Sequence, residues 1–547
     1  MKCMSLFRNL WPLVYGLVPL AFSVQGQELA TPPLQLPVES AKVPSVARLR
    51  VREFRFEGNK VFSSSELAKV TAGYVGREVT SLELEDARRA VTEYYVNHGY
   101  IDSGAVLPDQ NPQDGVVIIR ITEGTLNAIK ITGNKWLRES YIRDRLRRWS
   151  GPPLNMNDLK EGLQLLRQNP NIAQVNAELK PDVAPGASIL DVNIKDESPF
   201  RLGLQVDNDR PPSVGAEEIL LLASDTSLTG HSDPLDVSYG IAEGGDPNFK
   251  FSDFNDVAAS YLVPLTIYDT TLRIYGSKND YSVIEEPFNP LDITSESYRT
   301  GVTLRQPVYE TSARELALAV TFEREYSKSF LLGIPFDVTP GSVDGVTEIS
   351  ALRIVQEWID RSQRQVLALR STFSVGLDAF DVTDDGTDRN ARFFTWVGQA
   401  QYVRRLFNTP NQLVLRVNGQ LTPRPLLALE QFTLGGADSV RGYLVNQIVR
   451  DDGVFSSAEF RLPVVFNRLG APIVQFAPFF DFGGAWNVGS STPEPTTISS
   501  AGVGILITPN QHLNAQLYWG YAFRKIANPN DDPQDIGITF KVSCVAF

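Results

Sequence analysis

The sequence predicts two small α+β repeats followed by an all-β transmembrane barrel of about 16 antiparallel strands. Three observations lead there. Phe54-x-Phe56-x-Gly58-Asn59-Lys60 recurs as Ile129-x-Ile131-x-Gly133-Asn134-Lys135, which marks a duplicated unit. After Pro199 helical periodicity disappears, and segments of roughly 7 to 13 residues alternate apolar with small or polar side chains. The polar positions of that alternation include charges between apolar neighbours, as with Arg416 between Leu415 and Val417, which suits a wet lumen better than a packed core.

At the N-terminus, Lys2 and Arg8 precede an apolar run from Leu10 to Phe22, and small or polar residues follow to Gly26. Residues 1–26 therefore read as a secretory signal peptide. Cys3 precedes the apolar run, whereas a lipoprotein cysteine would follow it, so the mature chain keeps only Cys544 and no internal disulfide is expected. Residues 27–50 carry Pro32, Pro33, Pro37 and Pro44 without a sustained helical period and read as an extended linker. Beyond the signal there is no run of about 18 apolar residues, so a membrane would have to be crossed by strands.

Residues 51–125 and 126–198 form the two repeats, each a β-α-α-β-β unit of about 70 residues. In the first, Ser63 and Glu66 make a capping box for one helix, and a second helix over Leu82–Asn97 stops at Gly99. Strands follow at Gly104–Leu107 and Val116–Thr122. In the second, helices are predicted over Glu139–Trp149 and Asp158–Gln168, and strands over Gln174–Leu179 and Ile189–Ile194. Arg143, Arg145, Arg147 and Arg148 are interleaved with Glu139 and Asp144, the pattern of a solvated face.

Residues 199–547 form the barrel. In Glu315–Tyr326 one parity is Leu316, Leu318, Val320 and Phe322, and the other is Ala317, Ala319, Thr321 and Glu323. Trp396, Tyr402, Trp519 and Tyr521 fall towards strand ends, where a bilayer interface holds aromatic rings. A terminal aromatic, here Phe547, is typical of outer-membrane barrels. Ile538, Phe540 and Val542 share a parity that Phe547 does not, so a bulge or an early end of the last strand is expected.

Chemistry is sparsely represented. The net charge of −13 argues against nucleic acid as a partner. His98, His231 and His512 are far apart in the chain, which leaves a histidine metal site or a serine triad without its parts. Gly244-Gly245 lacks the strand-then-helix context of a phosphate loop. Neither an enzyme nor a bound metal or cofactor is expected.

The informative stretch is a long loop, 421–452, between the eleventh and twelfth predicted strands. It contains Leu434-Gly435-Gly436-Ala437-Asp438-Ser439-Val440-Arg441-Gly442-Tyr443, in which Arg441 is a permanent charge that needs a partner if the loop folds inward. Further on, Phe479-Phe480-Asp481-Phe482-Gly483 puts Phe480 and Phe482 on one face and Asp481 on the other, towards the lumen. Together they suggest a loop-to-wall ion pair.

Val440-Arg441-Gly442-Tyr443 and Phe479-x-Asp481-x-Gly483 resemble the two signatures of the two-partner secretion transporters, the haemolysin secretion and activation proteins. These belong to the larger superfamily of barrel-assembly proteins. The resemblance covers nearly the whole chain after the signal. It implies that the repeats are periplasmic POTRA domains, that the barrel sits in the outer membrane, and that the long loop folds back into the pore, where Arg441 pairs with Asp481. It also implies an unfolded, β-rich secreted exoprotein, haemolysin-like or adhesin-like, as the partner. Outer-membrane lipid and the barrel-assembly machinery that inserts the barrel are further implied partners. Capture would resemble β-augmentation, in which an extended segment adds to an exposed strand edge. The candidate edge is Gly104, Ala105, Val106 and Leu107, beside Tyr94 and Tyr95. Some family members carry a plug helix, for which Gln27–Arg50 offers no good candidate. The alternatives are an insertase of the same superfamily, which usually has three or more repeats, and a simple porin, which needs neither the repeats nor the inward arginine.

Overall fold

The computed structural model describes residues 48–547 apart from 113, 243–255, 286–287, 408, 528–531 and 547. The expected signal peptide, Gly244-Gly245 and Phe547 lie outside the described residues, as does most of the expected linker. The chain folds as two compact units that divide between Glu197 and Ser198.

The N-terminal unit contains both repeats. The first runs β1 (Arg48–Arg50), β2 (Glu53–Glu57), α1 (Ser64–Val70), β3 (Glu78–Thr80), α2 (Ser81–Asn97), β4 (Gly104–Val106) and β5 (Val116–Thr122). The second runs β6 (Thr125–Thr132), α3 (Glu139–Arg148), α4 (Met156–Arg167), β7 (Ile172–Pro181) and β8 (Ala187–Asp196). Sheet order is β2-β5-β4 in one and β6-β8-β7 in the other, with β2 parallel to β5 and β6 parallel to β8. Each helix pair covers one face of its sheet, closing cores around Phe56, Leu67, Val91 and Ile119 in the first repeat and around Ile142, Leu146, Leu159 and Leu190 in the second.

The shared Gly-Asn-Lys has the same physical task in both copies. Gly58 and Gly133 both adopt φ 86°, and a Cβ there would lie 2.3 Å from the Ile121 carbonyl oxygen or 2.4 Å from that of Ile194. The asparagine Nδ2 of each copy donates to a carbonyl three residues on, Asn59 to Phe62 and Asn134 to Leu137, both at 2.8 Å. The following backbone N–H groups converge on one carboxylate, Glu123 in the first copy and Asp196 in the second, at 2.6–2.8 Å. A three-part match of this kind is what duplication leaves behind.

Two features of the first repeat depart from the sequence reading. Arg48–Arg50, assigned to the linker, pairs antiparallel with Glu78–Thr80, and Leu49 packs against the first core. Strands of three residues carry too little periodicity to be read. The capping box at Ser63 and Glu66 is present, and a second one joins Thr80 to Glu83 at the start of α2.

The second unit is a closed antiparallel barrel of sixteen strands, from Phe200–Asp207 to Ile538–Val545, which pair with each other to close the ring. The two-residue strand Ile334–Pro335 is an appendage of the seventh strand, Arg314–Leu331. The burial pattern is inverted relative to a soluble sandwich. On the seventh strand Leu318 and Val320 are 44% and 46% exposed, whereas Thr321 and Glu323 are 7% and 5% exposed. Apolar residues outward and polar residues inward is the arrangement lipid imposes on a barrel, whose closed ladder satisfies the backbone groups while its outer face meets hydrocarbon. Trp519 and Tyr521 stand on the outer face near the end of the fifteenth strand, Leu513–Ala522. The last strand ends at Val545 with an unbroken ladder to its neighbour, so it ends early and carries no bulge.

Candidate functional site: the loop latch in the lumen

The eleventh strand, Gln412–Leu421, pairs directly with the twelfth, Asp452–Phe466, and the residues between them fold back into the barrel. A short hairpin, Phe432–Leu434 against Ile448–Arg450, stiffens this loop. Its apolar side packs Phe432, Leu434, Val440, Tyr443 and Ile448 against Phe455, Ala485 and Ile498 of the wall. The loop therefore has a small core of its own, and its tip is placed by packing before any charge is considered.

Arg441 stands at that tip, 1% exposed. Its Nε donates to Asp481 Oδ2 at 2.8 Å and its Nη2 to Asp481 Oδ1 at 2.9 Å, a two-pronged pair on the thirteenth strand, Pro472–Trp486. Its backbone N–H donates to the same carboxylate at 3.1 Å. Nη1 donates to Glu459 Oε2 at 2.5 Å, and Nη2 also reaches Ser457 Oγ at 3.1 Å. The guanidinium packs against two rings set edge to face, with Cζ 3.5 Å from the Phe479 centroid and 4.7 Å from that of Tyr518. Glu459 in turn accepts from Arg461 Nε at 2.7 Å and from the Tyr518 hydroxyl at 3.2 Å. With all three of its nitrogens donating and two rings packed against it, the guanidinium is held in one geometry.

The flanking motif residues set the depth of the tip. Gly442, at φ 91°, lies backbone to backbone on Gly520 of the fifteenth strand; a Cβ on Gly442 would stand 2.7 Å from the Gly520 carbonyl oxygen. Tyr443 donates its hydroxyl to the Ser499 carbonyl at 3.0 Å. A Cβ on Gly483 would meet the Leu434 and Val440 side chains at 2.7–2.9 Å, so the wall is thinned where the loop lies. Phe479 and Asp481 share the lumen face, while Phe480 and Phe482 point outward.

Glu459, Ser457 and Tyr518 complete the latch but were not picked out from sequence. A partial signal existed: Ser457 and Glu459 share one parity of a strand that pairs Ser457 with Asp481. Tyr518 lies two strands beyond Asp481, and no local pattern points to it.

The candidate edge needs correction. β4 is an edge strand, but its outward groups are occupied: Ala105 N–H donates to Thr92 Oγ1 and its carbonyl accepts from Arg88 Nη1, both at 3.0 Å and both from α2. Leu107 lies beyond the strand and packs against the core. Tyr95 is fully buried and donates to Glu123 at 3.0 Å; burial, then that carboxylate, push its phenol above the usual range. It cannot present itself to a partner. Tyr94 is half-buried, edge-on to Phe62 at 4.8 Å.

A lipid-faced sixteen-stranded barrel with a loop latched in its lumen, preceded by α+β repeats, defines a class of outer-membrane transport proteins. The chain belongs to the haemolysin secretion/activation protein family ShlB/FhaC/HecB, whose model matches residues 186–507, and a ShlB-type POTRA domain model matches residues 49–124. It is an outer-membrane transporter with its POTRA region in the periplasm. Among curated proteins it is 24% identical over 501 residues to the outer membrane transporter CdiB of Dickeya dadantii, covering 89% of this chain and 85% of that protein. It is 22% identical to the heme/hemopexin transporter protein HuxB of Haemophilus influenzae strain 86-028NP, covering 88% and 86%. The structure of CdiB from Escherichia coli has the same fold, with a TM-score of 0.71 at 20% identity, covering 93% of this chain and 92% of that one.

Proposed function

We propose that the barrel is a passive conduit for one secreted, β-rich exoprotein, that the periplasmic repeats capture this protein unfolded, and that the Arg441 latch holds the long loop in its export-competent position. The single observation that carries this reading is the grip on Arg441. A guanidinium held by Asp481, Glu459 and Ser457 and packed against two rings is costly to bury and serves no purpose in an open pore.

Capture would proceed by β-augmentation, and the occupied edge of β4 directs attention to β7, an edge strand of ten residues in which Arg167 of α4 takes the carbonyl of Val175. Alternate side chains of an extended substrate would then lie beside α4. An insertase role is disfavoured because those proteins usually carry three or more repeats, and a plain porin has no use for either repeat.

The test is deletion of Val51–Lys195. The barrel should still insert, and its exoprotein substrate should stay in the periplasm. Secretion that survives the deletion removes the recognition role from the repeats.

A further inference from the structure

The loop that carries Arg441 is tied to the wall a second time, with the charges reversed. Glu430 lies on the short 3-10 turn Ala428–Glu430, buried in the lumen. Arg353 of the eighth strand, Val346–Arg361, donates to it with two prongs, Nη2 to Oε1 at 2.8 Å and Nη1 to Oε2 at 3.2 Å. That arginine is itself fixed in place. Its Nε and Nη2 donate to Glu323 Oε1 of the seventh strand at 3.0 and 2.8 Å, and its Nη1 donates to Ser374 of the ninth at 2.9 Å. Tyr275 donates to the other oxygen of Glu323 at 2.6 Å. Behind the turn, the Gln420 amide donates to the Glu430 carbonyl at 2.8 Å, so backbone and side chain of the same residue are both held.

We propose that Glu430 and Arg353 form a second anchor of the loop, independent of the Arg441 latch, and that the loop leaves its place in the lumen only when both let go. The proposal rests on the reading that the latch holds the loop in its export-competent position, and deepens it. The two anchors grip wall sectors separated by the ninth, tenth and eleventh strands, so the loop is braced across an arc of the lumen. A single attachment would leave a hinge. Two attachments at different points remove it, because swinging about either one breaks the other. The opposite polarity has its own consequence: the loop arginine cannot settle among the wall groups around Arg353, nor the loop glutamate at Asp481, so the register of the loop in the lumen is unique. Glu323 stays beside Arg353 when Glu430 is neutralised, so the wall remains charge-compensated and Glu430→Gln tests the anchor rather than barrel folding.

The experiment is single-channel recording of the full-length protein in planar bilayers, with insertion checked by heat-modifiable mobility. Four proteins are compared: wild type, Glu430→Gln, Arg441→Ala and Glu357→Gln. The last neutralises a lumen-facing carboxylate of the eighth strand that pairs with Arg305 and Arg370, as a charge-matched control. Loss of one two-pronged charged contact is expected to raise the occupancy of open substates about tenfold for Glu430→Gln. Glu357→Gln should leave the traces unchanged. If Glu430→Gln records like wild type while Arg441→Ala opens, the second anchor is wrong and the first stands. If Glu430→Gln and Glu357→Gln open equally, lumen charge rather than anchoring is responsible and the proposal falls. Opening by Glu430→Gln with a silent Arg441→Ala keeps the second anchor and removes the first; silence in both removes both. Should Glu430→Gln fail to insert, Glu430→Asp decides. It keeps the charge but is one methylene short of the two-pronged reach, and wild-type traces from it would overturn the anchor.

Discussion

Asp481 accepts three hydrogen bonds from Arg441, one from the backbone N–H and two from the guanidinium. Side chain and main chain of one loop residue are thus bound to a single carboxylate on the wall. The backbone contact fixes where the loop passes and the side-chain contacts fix how it is turned. Both partners are shielded from solvent, and removing one partner of such a pair typically costs about 3 to 5 kcal/mol by stranding the other charge.

The backbone contact between Gly442 and Gly520 leads to the first prediction. Either residue replaced by alanine puts a Cβ within 2.7 Å of the other's backbone, and at Gly442 the φ of 91° adds strain of about 1–3 kcal/mol. Gly442→Ala and Gly520→Ala should each displace the loop tip and reduce secretion with the barrel intact. The double variant should be little worse than either single one, because the contact is already lost. Additive secretion defects would show that the two glycines act separately.

How far the sequence led is clearest at these residues. Arg441 and Asp481 stand out because a charge in a glycine-rich loop and a carboxylate among phenylalanines are locally anomalous. Thr321 and Val320 reveal a barrel because alternation is a property of neighbours in the chain. Glu459, Tyr518, Arg353 and Glu430 look ordinary where they stand, and acquire meaning only when strands far apart in sequence close into a ring. The β4 edge misled for the same reason: Thr92 and Arg88 look like routine helix residues, and that they fill the edge of β4 is a tertiary fact.

The second prediction concerns lipid. Val320→Arg on the outward face should lower barrel stability by about 2–4 kcal/mol and reduce the inserted fraction, while Asn514→Arg, on the lumen face of the fifteenth strand where it lines a cavity, should insert normally. Heat-modifiable mobility of the two proteins in outer-membrane fractions measures this. Equal insertion would contradict the assignment of faces.

The third concerns the start of α2, in the periplasmic repeat. Glu83 accepts from the Thr80 N–H at 2.7 Å, from Arg77 at 2.6 Å and from the Thr80 hydroxyl at 3.0 Å, which together hold its carboxyl down to about 2 from an ordinary value of 4.5. A folded-state pKa below the unfolded one stabilises the fold above the unfolded value. That contribution is lost as pH falls from about 4.5 towards about 2. Wild-type protein should therefore lose helical circular dichroism stability across this window more steeply than Glu83→Gln. Parallel pH profiles would count against the cap, whereas Thr80→Ala should lower stability by about 1 kcal/mol at neutral pH.

The central claim is that Arg441 positions the loop for export and does not hold the barrel together. The most direct measurement is exoprotein in the medium set against folded barrel in the outer membrane, for Arg441→Ala, Asp481→Ala and Arg441→Lys. Lysine keeps the charge but cannot make the two-pronged contact. All three should secrete little or nothing while the barrel is present at near wild-type abundance. Normal secretion from Arg441→Ala, or secretion lost only in step with the barrel itself, would contradict the account.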